Sequence, residues 1–152
     1  MNRCCLAALA AALSCSIAPL SSCQSGGMSS LLGKDAMSLL APYLKDAANS
    51  YLTNINALVS SLENVHSLTD AVNVAPKIEP AAKDAGKAYK TLAAATPDER
   101  KLLWEAFGPK FDATNSGFLK QADRVKSNSL WGQALRVATD EVKLFSRDGA
   151  AK

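Results

Sequence analysis

Ten positions between residues 41 and 72 fall on one line. Ala41, Leu44, Ala48, Tyr51, Ile55, Leu58, Leu62, Val65, Thr69 and Val72 recur at alternating spacings of three and four. That spacing puts them on a single stripe of an α-helix, whereas a strand of period two would scatter them over both faces. Lys45, Asp46, Asn49, Ser50, Asn54, Asn56 and Glu63 fall mostly on the other faces. No glycine or proline interrupts Tyr43 to Ala75, so the spacing predicts a helix over 43–73. Run on from Pro42, it would be about 48 Å long, against a radius of gyration of about 14 Å for a compact chain of this size. The fold is therefore expected to be elongated, or this helix to bend.

The rest of the chain follows the same period. Leu32, Ala36, Leu39 and Leu40 mark a short preliminary helix over 31–41, cut by Pro42. Pro76 and Pro80 frame an expected connector over 73–80, because proline fits a helix's first turn but breaks its interior ladder. Ile78, Ala82, Ala85, Tyr89 and Leu92 give a thin stripe for a helix over 80–95. Thr96-Pro97-Asp98-Glu99 is a strong start signal, since Thr96 and Glu99 can cap each other's backbone N–H groups. The helix it opens, 97–127, is expected to bend or break at Gly108-Pro109 and to weaken at Asn115-Ser116-Gly117. Ser129 is the expected cap of a last helix over 130–146, with Trp131, Leu135, Ala138, Val142 and Phe145 on its stripe. With 27 alanines and only 6% aromatic residues, an all-β sandwich is disfavoured. Amphipathic helices must bury their stripes against one another. The reading is an all-α, elongated antiparallel four-helix-type bundle with a short extra N-terminal helix and proline and glycine kinks, spanning 31–147 and followed by a frayed tail over 148–152.

The N-terminus reads as an address. Arg3 precedes an apolar run from Leu6 to Leu13, too short for a membrane span and typical of a secretory signal peptide, here 1–22. Leu20-Ser21-Ser22-Cys23 resembles the lipobox of bacterial lipoproteins. The resemblance covers the export segment alone. It implies diacylglyceryl attachment to Cys23, cleavage before it and acylation, commonly with palmitate, of the freed amine. Two or more chains anchor stably where one binds reversibly. Residue 24 is Gln, which departs from the Asp that marks inner-membrane retention in some Gram-negative bacteria, so an outer-membrane anchor is expected for such a source. Residues 23–30 would be a flexible tether. Cys4, Cys5 and Cys15 fall in the segment to be removed, and the body after Cys23 contains no cysteine. Disulfides, cysteine nucleophiles and Cys-ligated metals are therefore excluded from that body.

Candidate chemistry is sparse. His66 is the single histidine, three residues after Glu63; a di-iron bundle needs that Glu-x-x-His pair on two helices. Asp112, Thr114, Ser116, Gly117, Phe118 and Asp123 faintly resemble a calcium loop, but Lys120 and the Asp at the last position depart from it, and plain helix is the preferred reading. Asp98 with Glu99 and Asp140 with Glu141 are adjacent carboxylates that do not share a helix face. Lys77, Lys83, Lys87, Lys90, Arg100, Lys101 and Lys110 bias the middle toward positive charge. A net charge of +3 is too small for a nucleic-acid surface and reads as a solvated face, with anionic lipid or polysaccharide as the sharper alternative. A thin Ala82–Ala85 stripe opposite Tyr51, Tyr89 or Trp131 would either be filled core or leave a groove. The expected function is a membrane-tethered cell-envelope binding or structural lipoprotein, exported and lipid-anchored. It has no catalytic, cofactor or metal residues, and Cys23 is its lipidation site. Expected partners are the bilayer and an envelope protein or anionic surface. The alternatives are a carrier or adaptor for a small apolar ligand, or a metal-dependent activity.

Overall fold

A computed structural model describes residues 35–128 and 130–148, with only the backbone of Val137 and Ala138. The signal segment with Leu20-Ser21-Ser22-Cys23, the tether, the Ser129 cap, the Ala138 side chain and the tail beyond Asp148 lie outside the described residues. The described chain forms an elongated all-α bundle. Residues 35–39 are helical (α1) and lead into α2 (Pro42–Glu63), α3 (Leu68–Ala93), α4 (Pro97–Lys126) and the short α5 (Gly132–Asp140). None of these helices is long and apolar enough to cross a membrane.

The stripe of α2 is buried as its spacing demands: Leu44, Ala48, Tyr51, Ile55, Leu58, Leu62 and Val65 lie in the core. The helix ends ten residues earlier than 43–73 implies. Thr69 and Val72 are exposed, Val72 by 60%. The cause is local. Ser67 Oγ accepts from the Asp70 N–H at 3.1 Å, and the Asp70 carboxylate accepts from the His66 N–H at 3.1 Å. This reciprocal cap starts α3 and reverses the chain. Hydrogen bonding to the carboxylate, from the Ser67 hydroxyl first and then from the His66 N–H, holds the Asp70 carboxyl below its ordinary range.

The expected connector over 73–80 is the interior of α3, which runs through Pro76 and Pro80. Both prolines lie on the exposed face, opposite Ala71, Ile78, Ala82 and Ala85. The missing N–H groups leave the Val72 and Pro76 carbonyls unpaired within the helix, on the side that water reaches. Helix α4 begins at the capping box expected for Thr96 and Glu99. It continues without a break through Gly108-Pro109, where Pro109 is again exposed. Gly108 is buried because the Trp104 indole lies over it; a Cβ there would sit 3.0 Å from the ring.

Helix α2 packs against both α3 and α4, and α5 against α3 and α4. Cross-links from Tyr43 to Glu99, Asn56 to Thr114 and Glu63 to Gln121 advance together along α2 and α4, so these two run parallel. Helix α3 returns antiparallel between them in sequence. The expected helix over 130–146 is shorter. Helix α5 stops at Asp140, and 142–146 has no helical structure, although Leu144 and Phe145 are buried. Gly132 fixes the α4–α5 turn: a Cβ there would meet the Val125 carbonyl at 2.8 Å, and its N–H donates to Asn128 at 2.9 Å.

Candidate functional site

Helix ends and chain reversals leave backbone groups that side chains must satisfy. In this bundle, the polar side chains that reach inward do that work. Arg124, on the last turn of α4, sends its guanidinium across to the C-terminal end of α2. It donates to the Leu62 carbonyl and, at 2.9 Å, to the Val65 carbonyl, while Nε donates to Gln121 at 2.8 Å. A cation at a helix C-terminus is favourable, and the Trp131 ring, centred 5.9 Å away, covers the guanidinium. Arg100 plays a similar part after α3, donating to the Ala95 carbonyl at 3.0 Å.

The most organised cluster joins α2, α4 and the C-terminal segment. The Tyr51 hydroxyl donates to Asn115 Oδ1 at 2.8 Å and accepts from the Phe145 N–H at 3.0 Å. Asn115 Nδ2 donates to the Phe145 carbonyl at 2.8 Å. Both polar groups of one peptide residue are thus read by side chains from two helices. This also explains why α5 does not continue, since the Phe145 N–H and C=O have partners outside any helical ladder. The Phe145 ring sits among Phe111, Trp104 and Tyr89, with centroids at 5.2, 6.4 and 6.5 Å. The contacts with Phe111 and Tyr89 are edge-to-face, a geometry that adds to simple area burial.

Burial pushes the Tyr51 phenol up to about 12, although the Phe145 N–H acts the other way. A phenol whose folded value is raised contributes stability that is fully present below its unfolded value near 10. That stability is lost as pH rises through about 12. The wild type is expected to lose about 2 kcal/mol more than Tyr51→Phe between pH 9.5 and 12.5. Urea melts of both proteins across that range check it; parallel pH profiles would contradict it.

Beside this junction lie two open clefts that share Trp104. One, of about 330 Å³, is lined by Pro97, Arg100, Lys101, Glu105, Arg147 and Asp148. The other, of about 290 Å³, adds Asp112, Asn115 and Phe145. Indole, guanidinium and amide groups of this kind suit recognition by stacking and hydrogen bonding.

The residues singled out from the sequence are placed differently. His66 and Glu63 are exposed, and Glu63 accepts from Gln121 at 3.5 Å. Asp112 to Asp123 lie within continuous α4, so a calcium loop is ruled out there by geometry. Among the described residues, no three His, Cys, Asp or Glu side chains converge as a metal site would require. Glu99 belongs to the cap and also accepts from Tyr43 at 2.9 Å. Asp140 bonds Lys126 at 2.6 Å and Arg136 at 3.3 Å. The basic middle is partly paired, Lys83 with Glu79 at 2.6 Å and Lys87 with Asp84 at 2.8 Å; exposed pairs like these add little stability. Ala82 and Ala85 are buried, as are Tyr51 and Trp131, so that stripe is filled core. Sequence reasoning missed Asn115 and Arg124. Their partners are 30 and about 60 residues away in the chain, and no local pattern announces either. No family model, curated protein or solved structure matches this chain.

Proposed function

We propose that this protein is a non-catalytic binding or structural lipoprotein, held at a membrane of the cell envelope by acyl chains on Cys23. The observation that carries this reading is Leu20-Ser21-Ser22-Cys23, following an apolar export run and preceding a cysteine-free body. The use made of the inward-reaching polar side chains supports it. Tyr51, Asn115 and Arg124 each join separate parts of the fold, and every described buried side-chain nitrogen or oxygen has a partner. The continuous packing from Leu40 to Phe145 weighs toward a surface-binding role over a carrier of small apolar ligands. An outer-membrane position fits Gln24 if the source is Gram-negative. The partner is then an envelope protein or an anionic surface.

Expression in a bacterial host with labelled palmitate tests the anchor. Wild type is expected in the membrane fraction, labelled, with an intact mass equal to the chain from Cys23 plus its acyl groups. Cys23→Ala is expected to carry no label and to keep its leader. Wild-type protein with an unmodified Cys23, or one starting at Met1, would contradict the reading.

A further inference from the structure

Among the described residues, and apart from Leu119 on α4, the large exposed apolar side chains lie at the two ends of the bundle. Leu68, Val72 and Leu130 belong to the end that carries the α2–α3 and α4–α5 turns. Leu39 and Tyr43, 72% and 53% exposed, belong to the other end, on either side of the exposed Pro42. The Tyr43 hydroxyl donates to Glu99 at 2.9 Å, in the first turn of α4. That bond satisfies the phenol's polar tip and leaves the ring free to meet an apolar medium. Position in the chain separates the two ends. Twelve peptide links join Cys23 to Asp35, a reach of at most about 40 Å. Asp35 opens α1, which is only about 8 Å long, so the chain from Cys23 enters beside Leu39 whatever its path. Helix α2 then carries the chain about 33 Å away, to the turn at 64–67. An anchor on Cys23 therefore presents the Leu39 end to the bilayer at an effective concentration in the millimolar range. A contact too weak to hold the free protein is occupied at that concentration. Charge does not favour it. In the neighbouring Trp104 cleft Glu105 and Asp148 offset Arg100, Lys101 and Arg147, and Asp35, Asp46 and Asp98 are exposed at the same end.

We propose that Leu39 and Tyr43 are a membrane-contact site, which enters the headgroup–acyl boundary of the bilayer that holds Cys23 and turns the Leu68–Leu130 end away from it. The occupant is lipid, met through its apolar boundary and not through headgroup charge. A tyrosine ring suits that depth, with an apolar body and a polar tip. The inference rests on the lipid anchor proposed above and adds to it the orientation of the bundle.

The body after Cys23 has no cysteine, so Leu39→Cys and Leu130→Cys each add one free thiol to the lipidated chain, both at exposed positions. Each variant is purified from bacterial membranes, labelled at that thiol with a nitroxide and reconstituted in vesicles of phosphatidylethanolamine and phosphatidylglycerol. Intact mass reports the acyl groups. Collision of the label with oxygen, which concentrates in the bilayer, against collision with a water-soluble nickel chelate reports its depth. The label at position 39 is expected about 5–10 Å into the headgroup–acyl boundary, and the same label at position 130 in water. Vesicles of phosphatidylcholine alone are expected to give the same depth at position 39. A lipidated chain whose label at 39 is as water-exposed as that at 130 overturns the proposal and leaves the anchor standing. A chain without acyl groups on Cys23 overturns both. Immersion at 39 only where phosphatidylglycerol is present overturns it in favour of a charge-held surface. Spin–spin broadening at 39 that vanishes on dilution with unlabelled protein overturns it in favour of a second copy on that face. Immersion of both labels overturns the orientation.

Discussion

Ile55→Asp is expected to destabilise the protein by more than about 4 kcal/mol, since an unpaired carboxylate in a packed core is strongly disfavoured. Set against a typical domain stability of about 5–15 kcal/mol, that leaves a marginal or unfolded chain. Val72→Asp, on the same sequence stripe, is expected to change stability by less than about 0.5 kcal/mol. The difference lies in the turn between α2 and α3: Ile55 has no exposed surface, while Val72 is 60% exposed. Urea denaturation followed by far-ultraviolet circular dichroism compares the two. A large loss for Val72→Asp would place that residue in the core, and with it the long helix over 43–73.

Phe145→Ala is the second large effect, expected to cost about 3–5 kcal/mol, as removal of a buried phenylalanine does. The ring touches Phe111, Tyr89 and Trp104, so its loss empties a space walled by α3, α4 and the segment itself. Trp104 fluorescence is expected to shift to longer wavelength as solvent reaches the indole. Leu130→Ala, at a side chain 75% exposed, is the control, with a change below about 0.5 kcal/mol. A Phe145→Ala protein as stable as this control would mean that the C-terminal segment does not dock where it is described.

The fold class was readable because helical period survives in the sequence even where helix boundaries do not. The α2 stripe is right from Leu44 to Val65, and the Thr96–Glu99 start is right in both halves of its cap. The boundary near residue 65 escaped because Val65, Thr69 and Val72 keep the old spacing by coincidence. The new helix buries Ala71, Ile78, Ala85 and Leu92, a run of sevens one residue out of phase with Val72. That shift and the Ser67-x-x-Asp70 cap were present in the sequence. They were outweighed by Pro76 and Pro80, which read as breakers when nothing showed that they face water. The last helix failed for another reason. Val142 and Phe145 keep helical spacing, but tertiary partners on Tyr51 and Asn115 outbid the local ladder. Asn115 itself read as a weak point of α4, and its use emerges only when residues 51, 115 and 145 are brought together.

The backbone carbon chemical shifts of residues 60–82 test the central claim most directly, since the whole bundle closes on the reversal at residues 64–67. The account predicts helical Cα shifts up to Glu63, a break across Asn64 to Ser67, and helical shifts resuming at Leu68 and persisting through Pro76 and Pro80. Helical shifts running unbroken through residue 67, with the break at 73–80 instead, would contradict it.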